Sequence, residues 1–221
     1  MKELKISGKY ILKMNKLKVG ILAEKQQKLF EVLNRQKWIN DYYLAGGTGL
    51  ALFLGHRQSV DFDFFSKSPF SNDVLSERLA KIGSYVKLSE QKNTLHGIID
   101  NINISFLEYK YPLLEKPIIE KNMRIACIKD IACMKLSAIV SRGNKKDFVD
   151  IFYILKKYGL EELLHFYSEK YNQHNYEYVL LKSLVYFADA EEDPMPRMLE
   201  KIDWETIKKS IIHEVKKIKF V

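Results

Sequence analysis

Between Ile21 and Trp38 the apolar positions Leu22, Leu29, Phe30 and Leu33 recur at the spacing of one helical face, which predicts an amphipathic helix. Tyr42-Tyr43-Leu44-Ala45 is a short apolar run stopped by Gly46-Gly47, and helical character resumes from Thr48 to Leu54. Gly55-His56-Arg57 reads as a turn, and the chain then alternates from Val60 to Phe65 with the period of two expected of a strand. Past Pro69, Ser71-Asn72-Asp73 can cap a helix running through Leu79 and Ile82. Tyr85 to Leu88, Leu95 to Ile99 and Ile102 to Leu107 carry strand patterns separated by turn residues.

From Lys129 the texture changes to helices. Ile131 to Val140 is one, Arg142-Gly143-Asn144 breaks it, and Lys146 to Lys157 is the next, closed by Gly159. Further helical stretches follow at 160–171, 176–187 and 204–217. The pattern predicts an α+β chain in two units. A mixed sheet with flanking helices occupies residues 1–125, and a C-terminal helical lobe over 126–221 packs against it, with no Gly/Ser linker between.

The chain has 221 residues, 47% of them hydrophobic and 29% charged, the balance of a globular protein able to bury a sizeable core. No apolar run is long enough to cross a membrane, and the basic stretch from Met1 to Gly20 has no apolar segment behind it, so neither a membrane anchor nor a secretory leader is expected. Cys127 and Cys133 are too few for a disulfide framework and read as buried thiols of a cytoplasmic protein. The net charge of +8 permits a polyanionic partner. The lysines concentrate in residues 1–18 and from Lys201 onward, separated by the acidic patch Asp189, Glu191, Glu192, Asp193, and each run is equally a solvated face.

The chemistry concentrates in Gly46-Gly47-Thr48, followed twelve residues later by Asp61-Phe62-Asp63. Two glycines at a helix start let backbone N–H groups approach an anion, and Thr48 adds a hydroxyl there. Asp61 and Asp63, two apart on a strand, leave the same face roughly 6–7 Å apart at Cα. Two such carboxylates repel unless a cation lies between them, and hard oxygens suit Mg²⁺ or Mn²⁺ in phosphoryl transfer. Taken alone, the glycines are also a structural turn and the aspartates a solvated strand face. No histidine pair has zinc-ligand spacing, and no Ser or Cys stands in a nucleophile motif.

The stretch Leu44 to Ser66, LAGGTGLALFLGHRQSVDFDFFS, resembles the signature of the AbiEii/AbiGii toxin family of nucleotidyltransferases, within the polymerase-β-like superfamily. A second block, Asp130 to Ala138 with Lys135 and then Arg142 to Asp150 with Asp147, resembles the family's helical motifs. The resemblance implies a nucleotidyltransferase-like sheet in which Gly46, Gly47 and Thr48 hold the triphosphate of an NTP and Asp61 and Asp63 bind the metal. It implies that Lys135 contacts the phosphates and that Asp147 is a further acidic group, with the role of base open. On the residues alone, Lys135 is equally a lysine snorkelling from an apolar helix, and Asp147 a carboxylate favouring its helix dipole. Asp150 reads as supporting, and Arg142 and Lys145 as steering groups or a solvated turn.

The implied function is transfer of a nucleoside monophosphate to RNA, above all tRNA, by the toxin of a toxin–antitoxin or phage-defence system. An antitoxin partner goes with that reading. One departure stands out: Ser105 occupies the strand position where the superfamily often has a third carboxylate. The alternatives are a small-molecule or protein acceptor, and a non-catalytic nucleotide- or RNA-binding module on the same fold.

Overall fold

The computed structural model describes residues 17–218; the N-terminal lysine run, apart from Lys18, lies outside them. Seven strands form one mixed sheet in the order β3-β4-β5-β2-β1-β7-β6. The strands are β1 (Tyr43–Leu44), β2 (Phe62–Ser66), β3 (Tyr85–Gln91), β4 (Thr94–Ile99), β5 (Ile102–Glu108), β6 (Ile118–Glu120) and β7 (Met123–Ile125). β2 runs antiparallel to β1 and parallel to β5, while β1 is parallel to β7. The helices are α1 (Glu24–Asn34), α2 (Gly46–Leu54), α3 (Asn72–Ala80), α4 (Ile128–Ser141), α5 (Lys145–Leu155), α6 (Leu160–Tyr171), α7 (Glu177–Leu184), α8 (Ala188–Glu191) and α9 (Trp204–Lys217).

Alternation on β2 sets the architecture. Phe62 and Phe64 point into a core with Leu29, Phe30 and Leu33 of α1, Leu75 and Leu79 of α3, and Phe106 of β5. Burying each such side chain fully contributes about 1.5–3 kcal/mol. Phe65 packs instead against a second core, where Ile131 and Leu136 of α4, Phe148 and Ile151 of α5, and Leu163 of α6 gather with Tyr43, Ala45 and Leu50. Because α2 sends Leu52 to the first core and Leu50 to the second, its N-terminus is fixed from both sides.

Several expected boundaries shift. α1 stops at Asn34, and a short 3-10 turn, Lys37–Asp41, carries Trp38. α2 begins at Gly46, so both glycines lie in its first turn. Ser71 caps α3, its side chain accepting from the Val74 N–H. The acidic patch is tied into the structure: an Asp193 oxygen accepts from the Lys145 N–H at 2.9 Å, and Glu191 takes bonds from Trp204 Nε1 and Lys208 Nζ at 3.0 and 2.7 Å. No helix among the described residues is long and apolar enough to cross a membrane.

Candidate active site

The turn after β1 is held by the neighbouring strand: the Ala45 N–H donates to the Asp63 carbonyl at 3.0 Å. Gly46 follows with φ +61°, a left-handed conformation that favours glycine. A Cβ there would stand 2.6 Å from Asp63 Oδ2, so glycine is what lets that carboxylate lie against the helix start. The first N–H groups of α2 have no carbonyl partner within the helix, and the positive end of its dipole favours an anion. Thr48 has a different place from the one its hydroxyl suggested. It is fully buried, and its Oγ1 donates to the Asp61 carbonyl, bracing the approach to β2 instead of facing a ligand.

Asp61 immediately precedes β2, and its Oδ1 accepts from Asn103 Nδ2 at 2.9 Å. Asp63 stands beside Ser105 in the parallel β2–β5 register, so its neighbour on β5 is a hydroxyl and not a carboxylate. The Ser105 hydroxyl is engaged with His96 Nδ1 at 2.9 Å. Burial and then the neighbouring Asp61 raise the pKa of Asp63, against the opposing pull of Lys135, Lys146 and Arg142. Among the described residues no three His, Cys, Asp or Glu side chains gather as metal ligands. Even so, two oxygen-bearing carboxylates whose repulsion is only partly relieved suit a hard divalent cation that takes its other ligands from phosphate and water.

Behind this pair lies a buried ion network. Lys135 Nζ bonds Asp147 Oδ1 at 2.8 Å and Asp150 Oδ2 at 2.6 Å. Arg57 grips Asp150 with two nitrogens, Nε at 2.7 Å and Nη2 at 2.8 Å, and His56 Nε2 lies 2.7 Å from Asp150 Oδ1. Arg142 donates Nε and Nη2 to Asp147 at 2.9 and 3.3 Å. Burial works against charge at Asp150, but Lys135 and Arg57 outweigh it and hold the carboxyl well below its ordinary pKa. Asp147 is lowered in the same way, burial being overcome by Lys135 and Arg142. Burial would lower Lys135 and Arg57, yet the aspartates keep both raised.

These contacts decide between readings left open by the residues. Lys135 does not snorkel: it is 5% exposed, because two carboxylates beneath it satisfy the ammonium. Asp147 has both oxygens committed to cations, which makes it a weak base and a strong anchor. Arg142 is an ion-pair partner, and Lys145 is buried with its Nζ on the Glu191 and Asp193 carbonyls.

Arg57 and His56 were hidden in an apparent turn. Their signal was a charge count: Asp150 lies among Val149, Ile151 and Ile154 on a helix too apolar to leave it in water, and one lysine cannot neutralise two buried carboxylates. Arg57 also backs the glycine turn, for a Cβ on Gly47 would meet its Nη2 at 2.6 Å and Ser59 Oγ at 2.8 Å. The peptide on either side of Arg57 is strapped by a distant segment. The Gln58 N–H donates to the Arg197 carbonyl at 2.8 Å, and the Leu199 N–H to the His56 carbonyl at 3.1 Å. A separate buried pair, Lys170 Nζ on Asp130 Oδ1 at 2.6 Å, joins α6 to α4, with the Cys127 thiol donating to Asp130 Oδ2 at 3.0 Å.

Residues 27–120 and 101–220 match a family described as nucleotidyl transferase AbiEii toxin, type IV toxin–antitoxin system. The chain is 41% identical over 205 residues to aq_aa25, an uncharacterized protein of Aquifex aeolicus, covering 88% of this chain and 96% of that protein. Among solved structures it is similar to Helicobacter pylori JHP933, at 19% identity and TM-score 0.55, covering 89% of this chain and 92% of that one. It also resembles MenT4, a nucleotidyltransferase toxin of Mycobacterium tuberculosis, at 12% identity and TM-score 0.52, with 89% and 87% covered.

Proposed function

The chain belongs to the AbiEii family of nucleotidyltransferase toxins, and we propose that it moves a nucleoside monophosphate from an NTP to RNA, tRNA foremost, with a divalent metal held by Asp61 and Asp63. The observation that carries this reading is the Asp63 carboxylate lying against the glycine-opened N-terminus of α2, with Asp61 beside it. Anion-binding N–H groups and metal-binding oxygens then lie side by side.

Magnesium bound there would hold phosphate oxygens and offset charge that develops on them. The chain's own groups do the rest. The first-turn N–H groups of α2 orient the triphosphate, and the missing Cβ of Gly46 lets the Asp63 carboxylate stand beside them. An acceptor hydroxyl attacks the α-phosphorus in line; its O–P bond forms as the bond to the β-phosphate oxygen breaks, and pyrophosphate leaves. The hydroxyl proton passes to solvent water, because Asp61 and Asp63 are given to the metal and both Asp147 oxygens to Lys135 and Arg142. Lys135 and Arg142 lend positive field to Asp63 while holding Asp147, so their contribution to the phosphates is electrostatic. NTP and RNA as substrates imply the cytoplasm, and the toxin family implies a cognate antitoxin.

The test is incubation with each labelled NTP, Mg²⁺ and total RNA, beside small hydroxylated acceptors and protein. Label on RNA that is lost in Asp61→Asn, with folding intact, is the expected result. Label on a small molecule or protein would move the acceptor. Ser105, bonded to His96 in place of a third carboxylate, favours a non-catalytic binding module instead. Label on nothing, with NTP still bound, would establish that reading.

A further inference from the structure

At the C-terminal end of α4, beside but outside the carboxylate pair, lies a cavity of about 470 Å³ lined by Arg142, Lys182, Ser183, Val185, Tyr186 and Asp189 among others. That volume is of nucleotide scale. Arg142 joins it to the active site, because the same guanidinium bonds Asp147 and lies in the field of Asp63. With Nε and Nη2 on Asp147, its Nη1 makes no hydrogen bond among the described residues. Two side chains of the lining are exposed, Tyr186 at 58% and Val185 at 41%.

We propose that this cavity seats the unpaired end of the RNA acceptor, an inference that rests on RNA being the acceptor. The Tyr186 ring offers a face on which a base stacks whatever its sequence. Lys182 and the outer edge of Arg142 meet the backbone phosphates, and the Asp189 carboxylate accepts from a ribose hydroxyl or an exocyclic amino group. Lys182 also reaches over the ring of Tyr178, 4.6 Å from its centroid, and Tyr178 is itself exposed. The aromatic and cationic surface therefore continues out of the cavity along α7. An NTP brings a single base and needs no such continuation, whereas a strand with two or more unpaired nucleotides uses all of it. The two cations against one carboxylate disfavour a cationic small acceptor.

Binding of a fluorescent single-stranded oligoribonucleotide to full-length Asp61→Asn protein reads this site without turnover. Adding Tyr186→Ala weakens binding roughly ten- to a hundredfold, and Tyr186→Phe, which keeps the ring, loses far less. Lys182→Ala flattens the slope of log affinity against log salt by about 0.7, one phosphate contact on a single strand. With Asp61 restored, Tyr186→Ala raises KM for RNA and leaves KM for NTP unchanged. A rise in KM for NTP alone would overturn the inference and give the cavity to the incoming nucleotide; no change in either would overturn it outright. RNA left unlabelled by the wild-type protein would instead mark failure of the RNA-acceptor reading, so the two failures are distinct.

Discussion

Asp150→Asn removes one charge from the middle of the ion network and changes little else in size. The wild-type carboxylate is fully buried and takes four contacts of 2.6–2.8 Å, from Lys135 Nζ, Arg57 Nε and Nη2, and His56 Nε2. Asparagine keeps one acceptor oxygen and turns an amide donor toward cations, while Arg57, 4% exposed, cannot reach water. Breaking a buried pair from one side costs about 3–5 kcal/mol, and in a chain of this size each kcal/mol lowers Tm by about 2–4 °C. Thermal and urea denaturation should therefore show a loss of roughly 10 °C in Tm. In an Arg57→Leu background the same change should cost at least ~1.5 kcal/mol less, since the stranded cation is gone. The pH dependence follows from the direction of the shift. A carboxyl held below its unfolded value contributes stability above the unfolded pKa of about 3.9 and loses it as pH falls through the folded value. Wild-type stability should fall more steeply than that of Asp150→Asn below pH ~4. A variant within about 1 kcal/mol of wild type, with no coupling to Arg57, would refute the account of Asp150 as the hub.

Three further expectations are open to direct measurement. Gly46→Ala should cost about 1–2 kcal/mol from its left-handed backbone and should abolish transfer, because the new methyl group displaces Asp63; a labelling assay showing normal turnover would contradict that geometry. Asp63→Asn should abolish transfer while leaving Tm unchanged or slightly higher, since it relieves repulsion from Asp61; activity surviving the change would remove Asp63 from the chemistry. Lys170→Met should destabilise by about 3–5 kcal/mol by stranding the buried Asp130, and calorimetry giving a loss below ~1 kcal/mol would show that the pair does not hold α6 to α4.

The strand carrying the aspartates was legible because Phe62 and Phe64 alternate with Asp61 and Asp63, and the helical lobe because its apolar periodicity is long. β6 and β7 were not, since three residues each, Ile118–Glu120 and Met123–Ile125, are too few to show a period. The glycine turn was visible as a motif, yet its tightness came only with the position of the Asp63 carboxylate. Arg57 escaped notice for a different reason. Its partner is 93 positions away, and a basic residue between Gly55 and Ser59 has nothing local to distinguish it from a solvated turn.

The strap across His56 and Gln58 bears on the order in which the molecule can become whole. His56 and Leu199 are bonded through their backbones although they stand about 140 positions apart, and closing so long a loop costs entropy that local contacts do not incur. Synthesis runs from the N-terminus, so the glycine turn, Asp61 and Asp63 are made while the residues that fasten Arg57 are still unmade. A growing chain thus carries the sequence of its chemistry well before it can hold that chemistry in place. The segment that carries Arg197 and Leu199 is therefore a latch, thrown only once synthesis has passed it.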